Sequence, residues 1–211
     1  TIRSSGIGDV SVIGSYQFKT SGGGQLKLSL GLSFPTGSIE KEGDTPRAPG
    51  NQQIPYSMQL GSGTYDIPAS IYYSRMGNEV EWGTELAAKI RLGENDRDYS
   101  LGNRVLAATW LRFNKWDWLK PSIKLIYEYS DSIDGKDIDL LVPSAFPYPA
   151  PVTNPDMYGG KQARVVLGFI IPVFAKGNYV ELEIGKPFYE SLNGPQNRED
   201  IRYGFKFNLK I

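Results

Sequence analysis

Residues 64–76 read TYDIPASIYYSRM, residues 77–78 are Gly-Asn, and residues 79–92 read EVEWGTELAAKIRL. Apolar side chains take nearly every second position in both arms, and charged side chains alternate with them in the second arm. A period of two predicts two β-strands, joined by a tight turn, that each face two different environments. Each arm is longer than the roughly five or six residues of an ordinary soluble strand. Both match the roughly 9–11 residues that cross a bilayer at a tilt.

The same alternation recurs along the rest of the chain. Its cleanest example is residues 25–34, where Leu26, Leu28, Leu30, Leu32 and Phe34 alternate with polar or small residues. We therefore predict an all-β, antiparallel, up-and-down sheet with nine strands, at residues 10–19, 25–34, 64–76, 79–92, 99–113, 118–130, 162–173, 178–188 and 201–211.

The predicted connections alternate between short and long. The short ones are residues 20–24, 77–78, 114–117 and 174–177, and the longer ones are residues 35–63, 93–98, 131–160 and 191–199. All short connections then lie at one end of the sheet, and aromatic residues cluster near both ends of the strands. This pattern is typical of bacterial outer-membrane barrels, which have tight periplasmic turns, long outer loops and two aromatic girdles. We predict a transmembrane β-barrel, with residues 1–211 as a single domain, in the bacterial outer membrane.

A soluble fold with the same alternation stays open at this point. A β-sandwich or a lipocalin-like barrel would pack the apolar faces into a core and expose the charged faces to water. The uniformly long strands and the uninterrupted apolar faces favour lipid as the apolar environment.

The strand count carries a further expectation. Single-chain bacterial barrels close with an even number of strands, and an unclosed sheet leaves edges that lipid does not tolerate. Nine predicted strands therefore lead us to expect an odd number of further strands upstream of Thr1.

Composition narrows the range of possible chemistry. The 211 residues carry a formal net charge of zero, with no cysteine and no histidine. A neutral chain offers no electrostatic argument for a nucleic-acid partner. Without histidine or cysteine, this stretch has no Ser-His or Cys-His nucleophile, no thiolate chemistry and no disulfide. We predict no enzymatic activity, no cofactor and no metal site.

Acidic residues suggest two weaker possibilities. Carboxylate pairs such as Glu81 with Glu85 could serve acid–base chemistry, but such pairs are common on polar strand faces. Asp131, Asp134, Asp137 and Asp139 could bind Ca²⁺, although they lack the spacing and the closing glutamate of an EF-hand, and a solvated acidic loop is the simpler interpretation.

Charged residues on the face opposite the apolar one are the candidate site. In a barrel they would line the lumen, where they either tune the selectivity of a water-filled pore or pair into a lattice that fills a narrow one. The sequence leaves both alternatives open. The lumen-lining candidates are Lys27, Glu81, Glu85, Lys89, Arg91, Arg104, Arg112, Lys124, Glu128, Arg164, Glu181, Glu183, Arg202 and Lys206.

Several short motifs carry a resemblance to a known family. They are RSSGIGD (residues 3–9), LSFPTGS (32–38), QLGSGTYD (59–66), RLGENDR (91–97), NPDMYGG (154–160) and LNGPQ (192–196). Over nearly the whole chain, the sequence resembles the outer-membrane barrel proteins grouped as "MetA-pathway of phenol degradation" or as transporters. The resemblance implies about 12 strands in the complete barrel. It also implies uptake of small molecules, aromatic or hydrophobic ones among them.

The sequence thus predicts an outer-membrane channel or facilitator for passive passage of small solutes. The expected partners are outer-membrane lipid and a small-molecule solute, with no nucleic acid, and a partner protein or a second copy stays open. Two alternatives remain: a non-conducting barrel with a structural or assembly role, and a soluble β-barrel binding protein.

Overall fold

The computed structural model describes residues 2–44, 50–173 and 177–209. Within these ranges there are four three-residue 3-10 helices, at Tyr56–Met58, Ile138–Leu140, Pro151–Thr153 and Pro155–Met157. No helix in the described ranges has the length and hydropathy needed to cross a membrane. The strands are β1 (Val10–Thr20), β2 (Gly24–Phe34), β3 (Glu42–Gly43), β4 (Gln52–Gln53), β5 (Tyr65–Met76), β6 (Val80–Leu92), β7 (Tyr99–Ser100), β8 (Arg104–Phe113), β9 (Lys120–Ser130), β10 (Asp134–Gly135), β11 (Gly160–Pro172), β12 (Tyr179–Leu192) and β13 (Arg202–Asn208).

Nine long strands form one sheet in the order β1-β2-β5-β6-β8-β9-β11-β12-β13. Every pair of neighbours is antiparallel, and each strand pairs with the next long strand along the chain. The predicted all-β, antiparallel, up-and-down arrangement is therefore confirmed. Within the described residues β1 and β13 are the edge strands, so closure into a barrel stays a prediction.

The hairpin predicted at residues 64–92 is present, as β5 and β6. Tyr65 lies opposite Leu92 at one end, and Met76 lies opposite Glu81 at the other. Apolar positions of one strand therefore meet apolar positions of the other, and polar positions meet polar ones, because a side-chain period of two ties each residue to one face.

Two predicted strand boundaries are wrong by four residues or more. Residues 99–103 do not extend β8, because Asp98 has a positive φ of 58° and the chain turns there. Tyr99 and Ser100 pair instead with β10. The strand predicted to end at Phe188 continues to Leu192, because a bulge opposite Ala163 and Arg164 absorbs one extra residue. The predicted turn at residues 174–177 and the end of the last strand fall partly outside the described residues.

The apolar face of the sheet points away from the molecule. Leu30 is 65% exposed in β2, and Ile71, Leu86 and Leu125 are about half exposed in their strands. Side chains on the opposite face are more enclosed, with Arg164 only 2% exposed. The sheet thus turns its charged face inward and its apolar face outward.

A buried apolar cluster lies in the connections between strands. Tyr56, Tyr99, Ile133 and Leu140 form the buried cluster, with Leu101 and Tyr158 packed against it. These residues come from three of the longer connections, which meet at one end of the sheet. We call these segments, residues 35–44, 50–63, 93–103 and 131–159, the loop cap.

Candidate functional site: the charged face and the cavities below the loop cap

Register places all fourteen lumen-lining candidates on one face of the sheet, which we call the polar face. Three of its ion pairs join residues directly opposite each other on neighbouring strands, and one of them is Arg91 with Asp66. Arg112 Nη1 lies 3.1 Å from Glu81 Oε2, and Lys206 Nζ lies 3.7 Å from Glu181 Oε2. Opposite charges at such positions stabilise strand pairing modestly.

Another pair reaches across an intervening strand. Lys124 Nζ in β9 lies 2.9 Å from Glu183 Oε1 in β12, although β11 runs between them. Gly168 is the residue of β11 next to Glu183 in the register, and a Cβ there would collide with Ser122 Oγ. Because Gly168 has no side chain, the side chains of Lys124 and Glu183 can meet over β11.

Asp66 organises the polar face near the loop cap. Its carboxylate is fully buried, lies 3.1 Å from Lys89 Nζ, and also pairs with the guanidinium of Arg91. Thr64 Oγ1 donates a hydrogen bond to it at 2.8 Å. One carboxylate thus faces two cations. Asp66 was missing from the sequence-predicted set, although strand alternation alone would have placed it on this face.

Arg164 is the centre of a second buried cluster. It pairs with Glu128, and its Nη1 lies 3.3 Å from Glu199 Oε2. Glu199 also pairs with Arg202 Nη2 at 2.8 Å. Glu199 lies in a loop, outside the predicted strands, so strand periodicity could not reveal it.

An aromatic patch interrupts the charges on the polar face. The Trp110 ring stacks against Tyr72 with 6.4 Å between centroids, and the guanidinium of Arg112 lies 5.1 Å from its centroid. A Cβ on Gly83 would lie 2.6 Å from the indole, so glycine makes room for the ring. A cation over an indole face is favourable, which orients Arg112 along the wall.

Lys27, Glu85 and Arg104 differ from the other candidates. Within the described ranges none of them takes part in an ion pair. Arg104 is exposed at the start of β8, directly opposite Lys89 of β6.

Two adjoining cavities of about 600 and 670 Å³ lie between the polar face and the loop cap. Lys89 and Arg104 of the sheet, Leu101 and Tyr158 of the cap, and Gln196 and Asn197 of the last loop line both of them. The first cavity also has Glu128, Glu190 and Glu199 on its wall. The sequence did not predict these cavities, because the loops that cover them carry no periodic pattern.

The loop cap is held together by a buried ion pair. Arg97 Nε and Nη2 contact the two carboxylate oxygens of Asp137 at 2.6 and 3.0 Å. Gln53 Nε2 donates to Asp137 at 3.1 Å, and the Asp137 backbone N–H donates to the Tyr56 hydroxyl at 3.0 Å. Arg97 also pairs with the exposed Asp139. Two aspartates of the acidic loop thus bind an arginine, and the described residues contain no cluster of three or more His, Cys, Asp or Glu side chains that could hold a metal.

Burial changes the acidity of two tyrosines in the loop cap. Loss of contact with water raises the pKa of Tyr56 and of Tyr99 to about 12 in each case, since the charged phenolate is poorly solvated there. The cap core therefore favours neutral tyrosines.

The chain is similar to a solved outer membrane channel from Pseudomonas putida F1, with a TM-score of 0.61 and 11% sequence identity. Over the matched residues, this chain shares the fold of that protein. The similarity covers 95% of this chain but 64% of that protein, so this chain spans about two thirds of its length. No family model and no curated protein matches the sequence. Membership of the phenol-degradation transporter family therefore stays a prediction.

Proposed function

We propose that this chain forms part of the wall of an outer-membrane β-barrel channel, through which small solutes pass passively. The observation that carries the proposal is the polarity of the sheet, with apolar side chains outward and charged ones inward. The shared fold with an outer membrane channel supports it.

The outward apolar face favours lipid over water as its environment. Large apolar side chains along all nine long strands are exposed, among them Val12, Leu30, Leu86, Leu125 and Phe205. Soluble monomers rarely expose a continuous apolar surface beyond a few hundred Å². In a bilayer the same surface lies against acyl chains, and the antiparallel ladder satisfies the backbone polar groups.

The polar face supplies the wall that a passage for solutes requires. We propose that its fourteen charged residues line a lumen and that the cavities below the loop cap form its outer vestibule. Lys27, Glu85 and Arg104 are the candidates that lack an ion-pair partner within the described residues, so they would act most directly on a passing ion.

A second candidate function is a non-conducting barrel. Most of the interior charges pair with one another, and the loop cap covers one end of the polar face. Such a lattice could fill a narrow interior, as side chains do in small barrels. The two cavities favour the channel, because they leave open volume next to the charges.

Single-channel recording of the full-length protein, refolded and inserted in a planar bilayer, tests the proposal. Current steps of reproducible size are expected. Silence from a barrel shown to be folded and inserted would reject the channel in favour of the non-conducting barrel. A protein that stays folded and monodisperse without detergent would reject both and support the soluble binding protein.

A further inference from the structure

Arg104 lies next to two other cations of the polar face. Arg104 faces Lys89 across the strand pair, and Arg91 follows on the same strand as Lys89. The nearby carboxylate of Asp66 already binds both Lys89 and Arg91. Arg104 itself contacts no carboxylate within the described ranges.

A second carboxylate near this site, that of Asp9, is also occupied. Asp9 lines the second cavity, and its oxygens accept hydrogen bonds from the Gly37 N–H at 3.0 Å and from the Ser62 N–H and hydroxyl at 2.8 and 2.7 Å. Of these two carboxylates, Asp66 is paired with Lys89 and Arg91, and Asp9 accepts hydrogen bonds from the loop backbone and Ser62. Arg104 is left facing open volume in both cavities.

Four carboxylates line the first cavity, and the one on β12, Glu190, lies three strands away from Arg104 on β8. Asp131 accepts a hydrogen bond from the Tyr129 hydroxyl at 2.7 Å. Glu128 and Glu199 both pair with Arg164. Glu190 accepts a hydrogen bond from Gln162 at 2.7 Å and has no cationic partner among the described residues. A charge difference across a cavity orients a charged solute. The anionic end of a solute is therefore drawn toward Arg104 and away from Glu190.

The remaining lining is suited to an apolar body. Ala87, Leu106 and Leu101 line the first cavity, Val152 and Met157 the second, and Tyr158 borders both. Volumes of about 600 and 670 Å³ lie in the range of small-molecule pockets. An inorganic anion would leave these apolar side chains unused.

We propose that Arg104, assisted by Lys89, binds the carboxylate of a small organic acid whose apolar part lies against Leu101 and Tyr158. The inference rests on the proposed channel, since it assigns a solute class to its vestibule. A guanidinium suits this role because its planar fork donates two parallel hydrogen bonds to one carboxylate.

Calorimetric titration of the folded, full-length protein in detergent tests the site without requiring conductance. The probes are hexanoate, 1-hexanol and hexylamine, which share an apolar chain and differ in charge. Hexanoate should bind at least tenfold more tightly than either of the others. Arg104→Gln should weaken hexanoate binding about tenfold, and Arg104→Lys should restore part of it.

The matched control is Arg198→Gln. Arg198 is an exposed arginine of the last loop that lines neither cavity, so its loss removes the same charge from the same end of the molecule. Hexanoate binding should be unchanged in this variant. Equal weakening by both substitutions would show a general charge effect and overturn the assignment, as would equal binding of hexanoate and hexanol.

The outcomes separate the two proposals. Selective hexanoate binding in a protein that conducts no current would keep the carboxylate site and reject the channel. Conductance with no effect of Arg104→Gln on hexanoate binding would keep the channel and reject the site.

Discussion

Asp66 shows how a single buried residue can hold several charges in place. Its carboxylate is the shared counter-charge of Lys89 and Arg91, and the Arg91 side chain is itself largely buried. A buried ion pair adds little net stability compared with apolar residues of the same volume, but removing one partner leaves an uncompensated charge.

Asp66→Asn should therefore lower the free energy of unfolding by about 3 kcal/mol, because Arg91 loses its counter-charge while it stays enclosed. Urea titration of the protein in lipid vesicles, followed by tryptophan fluorescence, measures the change. The control is Asp96→Asn in the exposed loop after β6, which should stay within about 0.5 kcal/mol. A loss of similar size in both variants would contradict the role given to Asp66.

Among the larger elements, the loop cap has a core of its own. The Arg97–Asp137 pair lies beside Tyr56 and Tyr99, whose rings meet edge to face with 4.8 Å between centroids. Two aspartates bind the same arginine in different surroundings, since Asp137 is 1% exposed and Asp139 is 62% exposed. Substituting each aspartate in turn therefore compares a buried with an exposed ion pair to the same arginine.

Asp137→Asn should loosen the loop cap, because Arg97 and Gln53 then no longer donate to a buried, charged carboxylate. We expect cleavage within residues 131–159 by an added protease to become about tenfold faster, which corresponds to about 1.4 kcal/mol. Asp139→Asn, which removes an exposed pair to the same arginine, should change the rate less than twofold. Equal rates for the two variants would show that burial of the pair does not matter to the cap.

The tyrosines of the cap core predict a pH dependence. Their pKa of about 12 lies above the ordinary value near 10, so folding favours the protonated form. Their contribution to cap stability is complete below about pH 10 and is lost as the pH rises through about 12. Titration of tyrosinate absorbance should show a late component that disappears in the Tyr56→Phe, Tyr99→Phe double variant. If the double variant titrates like the wild type, these are not the tyrosines with the raised pKa.

For the whole molecule, the decisive feature is the side of the sheet on which the apolar residues lie. Leu30 and Ser29 are neighbours near the middle of β2, on opposite faces. If the apolar face contacts lipid, a charge at Leu30 is costly, whereas a charge at Ser29 faces other polar groups.

Leu30→Arg should lower the free energy of unfolding in vesicles by about 2–4 kcal/mol, the cost of an arginine near the bilayer midplane. Ser29→Arg should cost less than about 1 kcal/mol, since it adds a charge to the polar face. Folded yield in vesicles, followed by the shift in electrophoretic mobility on heating, measures both. The reverse order would mean that the apolar face does not contact lipid.

Sequence alone determined the nine long strands, their order and the shared face of the fourteen predicted charges, because a period of two and short turns favour an up-and-down antiparallel arrangement. The bulge before Leu192 and the departure of Tyr99 from β8 were not predictable, since both depend on local backbone geometry that leaves no periodic signal. The loop cap, its Arg97–Asp137 pair and the partners of Asp66 and Arg164 were decided only by tertiary structure. They join residues far apart in the chain, and strand alternation carries information about the face of a residue but none about its partner.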